Sequence, residues 1–179
     1  MTFSQRELRA LGTEPAPHTF SLVNESLTKA AESGRYIFLS HSNLGSNLAT
    51  GFVKMVRRLG VNVYFDLYDS TLTLPPSEDT ANKLRLRIQK AFHFILLATE
   101  NSVRQSRWCP WELGCADGNV VPISIARTKD DTGKEWGAEY LRLYHSLEIK
   151  TDRSYSQRIA RMMPIVESNG SPRFEKWFS

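Results

Sequence analysis

Tyr36-Ile-Phe-Leu-Ser40 is apolar at nearly every position, as a strand buried on both faces must be. Leu44 to Leu59 follows, with Leu48, Phe52, Met55, Val56 and Leu59 at helical spacing and Gly60 as a stop. Val61-Asn-Val-Tyr-Phe65 predicts a second strand, and Asp66 to Ser77, with Pro75-Pro76 inside it, a loop. Ser77-Glu-Asp-Thr80 has N-capping chemistry ahead of Leu84, Ile88 and Ala91 on one helical face. Phe92 to Ala98 reads as a third buried strand, Ser106 to Asp117 as a helix, and Asn119 to Ala126 as a fourth strand. This rhythm predicts an α/β domain, a parallel sheet with helices on both faces.

Outward from this core the pattern weakens. Arg127 to Gly137 is polar and loop-like, a short fifth strand is expected near Leu141 to Leu147, and Ser154 to Val166 suggests a last helix. Residues 1–33 are expected to be a peripheral extension with a short helix over Ser21 to Ser33, because Thr13-Glu-Pro-Ala-Pro-His18 breaks any helix. The domain is then 34–167, and 168–179 a tail anchored by Phe174, Trp177 and Phe178. Asp117 is expected in solvent, and Trp136 on a loop that could reach a neighbouring subunit.

Composition narrows the function classes. With 41% hydrophobic and 23% charged residues in 179, the chain is globular and long enough to need no metal or disulfide staple. No apolar run approaches the roughly 20 residues that span a bilayer, and Met1 to Leu11 lacks the apolar core of a signal peptide. A cytoplasmic protein with no membrane partner is the expectation. The net charge of +4 favours an anionic ligand but is too small for a nucleic-acid footprint. Cys109 and Cys115 lie six apart on one helix. That is about 9 Å of rise and about 240° of rotation, so they are expected as reduced, packed thiols. No metal site is expected, and His93, inside an apolar strand, reads as structural.

Ligands of open parallel sheets sit beyond the carboxyl ends of the strands, near a topological switch point. The loops there are Ser40-His-Ser-Asn-Leu-Gly-Ser46, Asp66-Leu-Tyr-Asp69 and Thr99 to Trp111. None carries a dinucleotide or phosphate-loop glycine pattern, or the strand-turn-helix serine of a hydrolase. Ser106-Arg-Trp-Cys-Pro-Trp-Glu-Leu-Gly114 is more informative. Pro110 must lie in the first helical turn, so Trp108 and Glu112, four apart, share a face. The helix dipole is expected to favour an ionised Glu112, and Trp111 and Leu113 are expected in the core. An aromatic plate beside a carboxylate at a strand-end cleft suits a nucleotide and its sugar.

Tyr36-Ile-Phe-Leu-Ser-His-Ser42, the strand ending in Phe65-Asp66, and Ser106-Arg-Trp-Cys-Pro-Trp-Glu-Leu-Gly114 resemble successive boxes of a Toll/interleukin-1 receptor (TIR) domain. The resemblance covers residues 34–126 well and 127–167 loosely. It implies a flavodoxin-like fold with a central parallel sheet of about five strands. In enzymatic members the Glu of this helix cleaves the nicotinamide–ribose bond of NAD, and Glu112 is the matching residue. Trp108 would wall the pocket. Ser40, His41, Asp66 and Tyr68 match the loops after the first two strands and are candidates for substrate contacts. Two departures stand out: the second loop has Pro75-Pro76 and no glycine, and no partner domain is expected beside this one. The latter is similar to the layout of free-standing bacterial TIR proteins, including signal-making subunits of Thoeris antiphage systems.

The resemblance thus implies an NAD-cleaving enzyme that yields ADP-ribose, a cyclic isomer or a conjugate. NAD would be its substrate and no cofactor is expected. Self-association through TIR–TIR contacts and a downstream effector that senses the product are the expected partners. Two readings compete with it: a non-catalytic TIR–TIR interaction module, and another nucleotide-processing flavodoxin-like protein such as a nucleoside transferase.

Overall fold

The structure is a computed structural model that describes residues 2–14, 36–58, 61–69, 72, 77–137, 139–150 and 161–164. Of Tyr68, Glu139, 148–150 and 161–164 only the backbone is described. Five strands form the parallel core: β2 (Ile37–Ser40), β3 (Val63–Tyr64), β4 (His93–Ala98), β5 (Ile123–Lys129) and β7 (His145–Lys150). They lie in the order β3-β2-β4-β5-β7, a flavodoxin-like arrangement with its switch point between β2 and β4. Three further strands pair at the margins. β1 (Phe3–Ser4) runs parallel to the far end of β5, while β6 (Glu135–Trp136) and β8 (Arg161–Pro164) pair antiparallel with β5 and β7.

Alternation along each strand sorts the side chains onto two faces. Ile37, Leu39, Val63, Phe65, Ile95 and Leu97 pack under α2 (Ser46–Arg57), whose Leu48, Phe52 and Val56 form one buried stripe. Phe38, Tyr64, Phe94 and Leu96 point the other way, against Leu84 and Ile88 of α3 (Glu78–Lys90) and Cys109, Leu113 and Ala116 of α4 (Trp108–Gly118). Phe38 stacks between Tyr64 at 5.2 Å and Phe94 at 5.5 Å. Each fully buried aromatic contributes about 1.5–3 kcal/mol of apolar burial, so this three-ring row holds β3, β2 and β4 together. Ser77 accepts from Thr80 N–H at 3.3 Å, the cap that its sequence promised for α3.

The amino terminus is not peripheral. Ser4 caps α1 (Gln5–Thr13), and Phe3 and Leu8 are buried in the α2-side core. Backbone contact makes this possible: a Cβ on Gly51 would lie 1.9 Å from the Leu8 carbonyl oxygen, and one on Gly12 2.0 Å from that of Asn47. Lys54 then donates to the Leu11, Gly12 and Glu14 carbonyls at the end of α1, at 3.0, 3.2 and 2.6 Å. The expected helix over Ser21 to Ser33 and the tail 168–179 lie outside the described residues.

Other boundaries shift for local reasons. The fourth strand starts at Ile123 because Asn119 and Val120 end α4, with Val120 in the left-handed region at φ 57°. It also continues through Lys129, and Glu135–Trp136 pairs back on it, so the expected polar loop is partly a hairpin. Leu141 sits in a short helical turn, Glu139–Leu143, and the fifth strand begins after it at His145. Residues 161–164, expected in a helix, form strand β8 on the β7 edge. Pro164 explains the outcome: without an N–H it breaks a helix interior but is tolerated on an edge strand. Among the described residues no helix is long and apolar enough to cross a membrane.

Candidate active site

At the switch point the chain leaves β2 towards one face of the sheet and β4 towards the other, and the diverging loops leave a crevice. A cavity of about 490 Å³ fills it, a size ordinary for small-molecule sites. Its walls come from the loop after β2 (His41 to Leu44), from Asp66, Leu67 and Asp69 after β3, and from Gln105 to Trp108 with Glu112.

Local chemistry sets Glu112 in place. After β4, residues Asn101–Gln105 make one wide π turn, closed by Ser106 N–H donating to the Asn101 carbonyl at 2.8 Å. Ser106 Oγ accepts from Cys109 N–H at 3.1 Å, and α4 starts at Trp108. Pro110 falls third in the helix, where its missing N–H costs nothing. The next turn carries Glu112 into the sheet, where it is 4% exposed. There Ser40, the last residue of β2, donates its hydroxyl to Glu112 Oε2 at 2.6 Å.

Burial pushes the Glu112 carboxyl up to about 8; the Asp66 carboxylate adds to the rise and the Ser40 hydrogen bond opposes it. The expectation of a dipole-favoured carboxylate is therefore corrected. Glu112 lies fifth in α4, beyond the first turn where the dipole acts, and desolvation dominates. Cys109 beside it is also buried, and its thiol is pushed up to about 12, mainly by burial. Neither Cys109 nor Cys115 is in a disulfide.

His41 and Asp66 form the opposite rim. His41 Nδ1 lies 3.4 Å from Asp66 Oδ1, and its ring packs 4.5 Å from Phe65. Burial lowers the His41 pKa although Asp66 pulls it upward, and burial raises that of Asp66. Among the described residues, His41 Nε2 and Asp66 Oδ1 are buried without a hydrogen-bond partner. Desolvated polar atoms of this kind are costly unless something pairs them.

The structure thus brings Glu112, Trp108, His41 and Asp66 around one cavity. Ser40 is near but not on its wall; its hydroxyl is committed to Glu112. Tyr68 follows Asp66 in a short helical turn, and its side chain lies outside the described residues. Leu113 is core as expected, whereas Trp111 is half-buried, edge-to-face with Trp108 at 5.3 Å and beneath Arg85 at 5.7 Å. His93 is structural, bonded to Ser124 Oγ at 2.9 Å. Asp117 is exposed. Trp136 does not stand free to reach a neighbour: it is buried, donating to Asp130 Oδ2 at 2.9 Å.

Sequence reasoning did not single out Asp69 and Arg107, which also line the cavity. Asp69 accepts from Tyr64 Oη at 2.6 Å and lies 3.8 Å from Arg87 Nε. Their position directly after a parallel strand or at the head of the following helix was the available signal.

No protein-family model matches the chain. Over 113 residues it is 37% identical to a protein of Bacillus cereus (strain MSX-D12) described as "Probable 3' cyclic ADP-D-ribose synthase ThsB'". That match covers 60% of this chain and 58% of the relative, so the chain spans somewhat over half of that protein's length. The three sequence boxes end β2, end β3 and open α4 around the switch point of a flavodoxin-like sheet. This placement, together with the similarity to that relative, agrees with the TIR resemblance of the three boxes.

Proposed function

We propose that the protein cleaves the nicotinamide–ribose bond of NAD and closes the remaining ADP-ribose into a cyclic signal nucleotide, in the cytoplasm, as part of antiphage defence. The observation that carries this reading is Glu112, a buried carboxyl bonded to Ser40 on the wall of the switch-point cavity. The naming of the Bacillus cereus relative as a probable 3' cyclic ADP-D-ribose synthase supports the cyclic product.

Nicotinamide in NAD is a cationic leaving group, so the C1′–N bond can break without a general acid, unlike the glycosides that need two carboxyls. The bond's electron pair leaves with neutral nicotinamide, and positive charge develops on the ribose. A pyridinium ring beside Glu112 favours its carboxylate form. That carboxylate then holds the ribose hydroxyls and stabilises the oxocarbenium-like transition state in a desolvated site. Trp108 walls the sugar. Attack by a nucleophile of the adenosine half closes the ring, and attack by water gives linear ADP-ribose. In either case the nucleophile's proton passes to Glu112. Self-association through TIR–TIR contacts and an effector that senses the product belong to the same proposal.

Mass spectrometry of NAD incubated with concentrated or artificially clustered protein tests it. The expected result is nicotinamide with a co-product of ADP-ribose mass less one water, absent with Glu112→Gln. Equal release by a folded Glu112→Gln protein overturns the role of Glu112. Silence of the clustered wild type overturns the enzyme in favour of an interaction module.

A further inference from the structure

The cavity has two walls that no strand pairing joins. The last β2–β4 register pair is Ser40 with Leu96, and beyond it the chains diverge. One wall is the loop Ser42, Asn43 and Leu44; the facing one is Gln105 to Trp108. Leu44 is 62% exposed, so side-chain packing does little to hold its loop.

Asn101 bridges the gap. Its Nδ2 donates to the Leu44 carbonyl at 2.7 Å, across 57 residues of sequence. Its own carbonyl accepts from Ser106 N–H at 2.8 Å and closes the wide turn that delivers Ser106, Arg107 and Trp108. One residue therefore ties the β2 loop to the wall that carries Trp108. The neighbouring Gly45 has φ +99°, where a side chain would be strained, and a Cβ there would lie 3.8 Å from Asn101 Nδ2. Only a donor can bond the Leu44 carbonyl; a carboxylate at position 101 would oppose it with like charge. Asn101 does not line the cavity.

We infer that Asn101 is a positioning residue that sets the width of the substrate cleft, acting on NAD binding and not on bond cleavage. This rests on the reading of the cavity as an NAD site. A single half-exposed hydrogen bond of this kind shifts an equilibrium roughly three- to ten-fold.

Two measurements on the full chain test it. The first is steady-state nicotinamide release by wild type, Asn101→Ala and Asn101→Asp. The second is calorimetric binding of NAD to Glu112→Gln with and without Asn101→Ala. The expected result is a KM and Kd raised about three- to ten-fold by Ala and further by Asp, with kcat within about two-fold and the melting temperature nearly unchanged. Unaltered KM and Kd in Asn101→Ala overturn the inference while leaving the NAD reading intact. A kcat that falls together with the melting temperature, at constant KM, also overturns it by reducing Asn101 to a structural part. Failure of both wild-type turnover and NAD binding overturns the NAD reading, and this inference with it.

Discussion

The two ends of the parallel sheet bury titratable groups in opposite ways. At the amino end of β4, His93 is 7% exposed and bonded to Ser124 Oγ at 2.9 Å. Burial holds it down to about 4, with the neighbouring His145 adding to the shift. At the carboxyl ends, His41 is also 7% exposed, yet its Nε2 and the facing Asp66 Oδ1 have no hydrogen-bond partner among the described residues. A cavity opens beside them. The same degree of burial thus yields a satisfied core histidine at one end and a poised polar cluster at the other. Desolvated groups with a cavity in reach mark a site more reliably than burial or a shifted pKa alone.

The largest expected contrast is catalytic. Glu112→Gln should lower nicotinamide release by about 10³-fold or more, while His93→Gln should leave kcat/KM within about two-fold, both read by nicotinamide assay. An equal loss in the two variants would break the distinction between the ends.

Stability should separate them by the sign of its pH dependence. Glu112 titrates near 8 in the folded protein, above its ordinary 4.5. The folded state therefore binds more protons across that interval, and stability falls as pH rises through it. Glu112→Gln should remove this loss, with a gain at pH 8 on the order of 3 kcal/mol, or roughly 5–10 °C, and little gain near pH 4.5. His93 has the opposite sign. Its folded value of about 4 lies below the ordinary 6.5, so its contribution is present above 6.5 and is lost as pH falls towards 4. His93→Gln should flatten that acid limb; paired thermal melts at several pH values measure both slopes.

Activity offers a finer test. If the carboxylate form of Glu112 is required, kcat/KM should rise with pH and reach half its plateau near 8 in the free enzyme. The kcat profile should lie at lower pH, because the bound pyridinium favours ionisation. Ser40 stabilises the carboxylate by its 2.6 Å hydrogen bond, so Ser40→Ala should move the kcat/KM profile upward, by roughly one pH unit or less. A downward shift would contradict the geometry.

The parallel core was legible because Tyr36 to Ser40 and Phe92 to Ala98 are too apolar for anything but doubly covered strands. Trp108 and Glu112 line one cavity, as their four-residue spacing across Pro110 leads one to expect. The rest depended on distances the sequence does not display. Ser40 meets Glu112 across 72 residues, a contact that no spacing in the sequence displays. The ionisation of Glu112 depends on tertiary burial that outweighs a local dipole. Docking of α1 rests on the bare backbones of Gly12 and Gly51, which add nothing to a hydrophobic pattern. Nor did periodicity in Ser154 to Val166 reveal the strand at 161–164 that Pro164 permits.

Val120 supplies a practical handle. It is a β-branched residue at φ 57°, 88% exposed, in the turn that leads from α4 into β5. It bears backbone strain without packing to compensate. Val120→Gly should raise the melting temperature by a few degrees, for roughly 1 kcal/mol of relief. The change lies at the foot of α4, away from Trp108 at its head. A hardened background of this kind would let damaging substitutions at the cleft be assayed in soluble, folded protein, so that a silent variant reports on chemistry and not on yield.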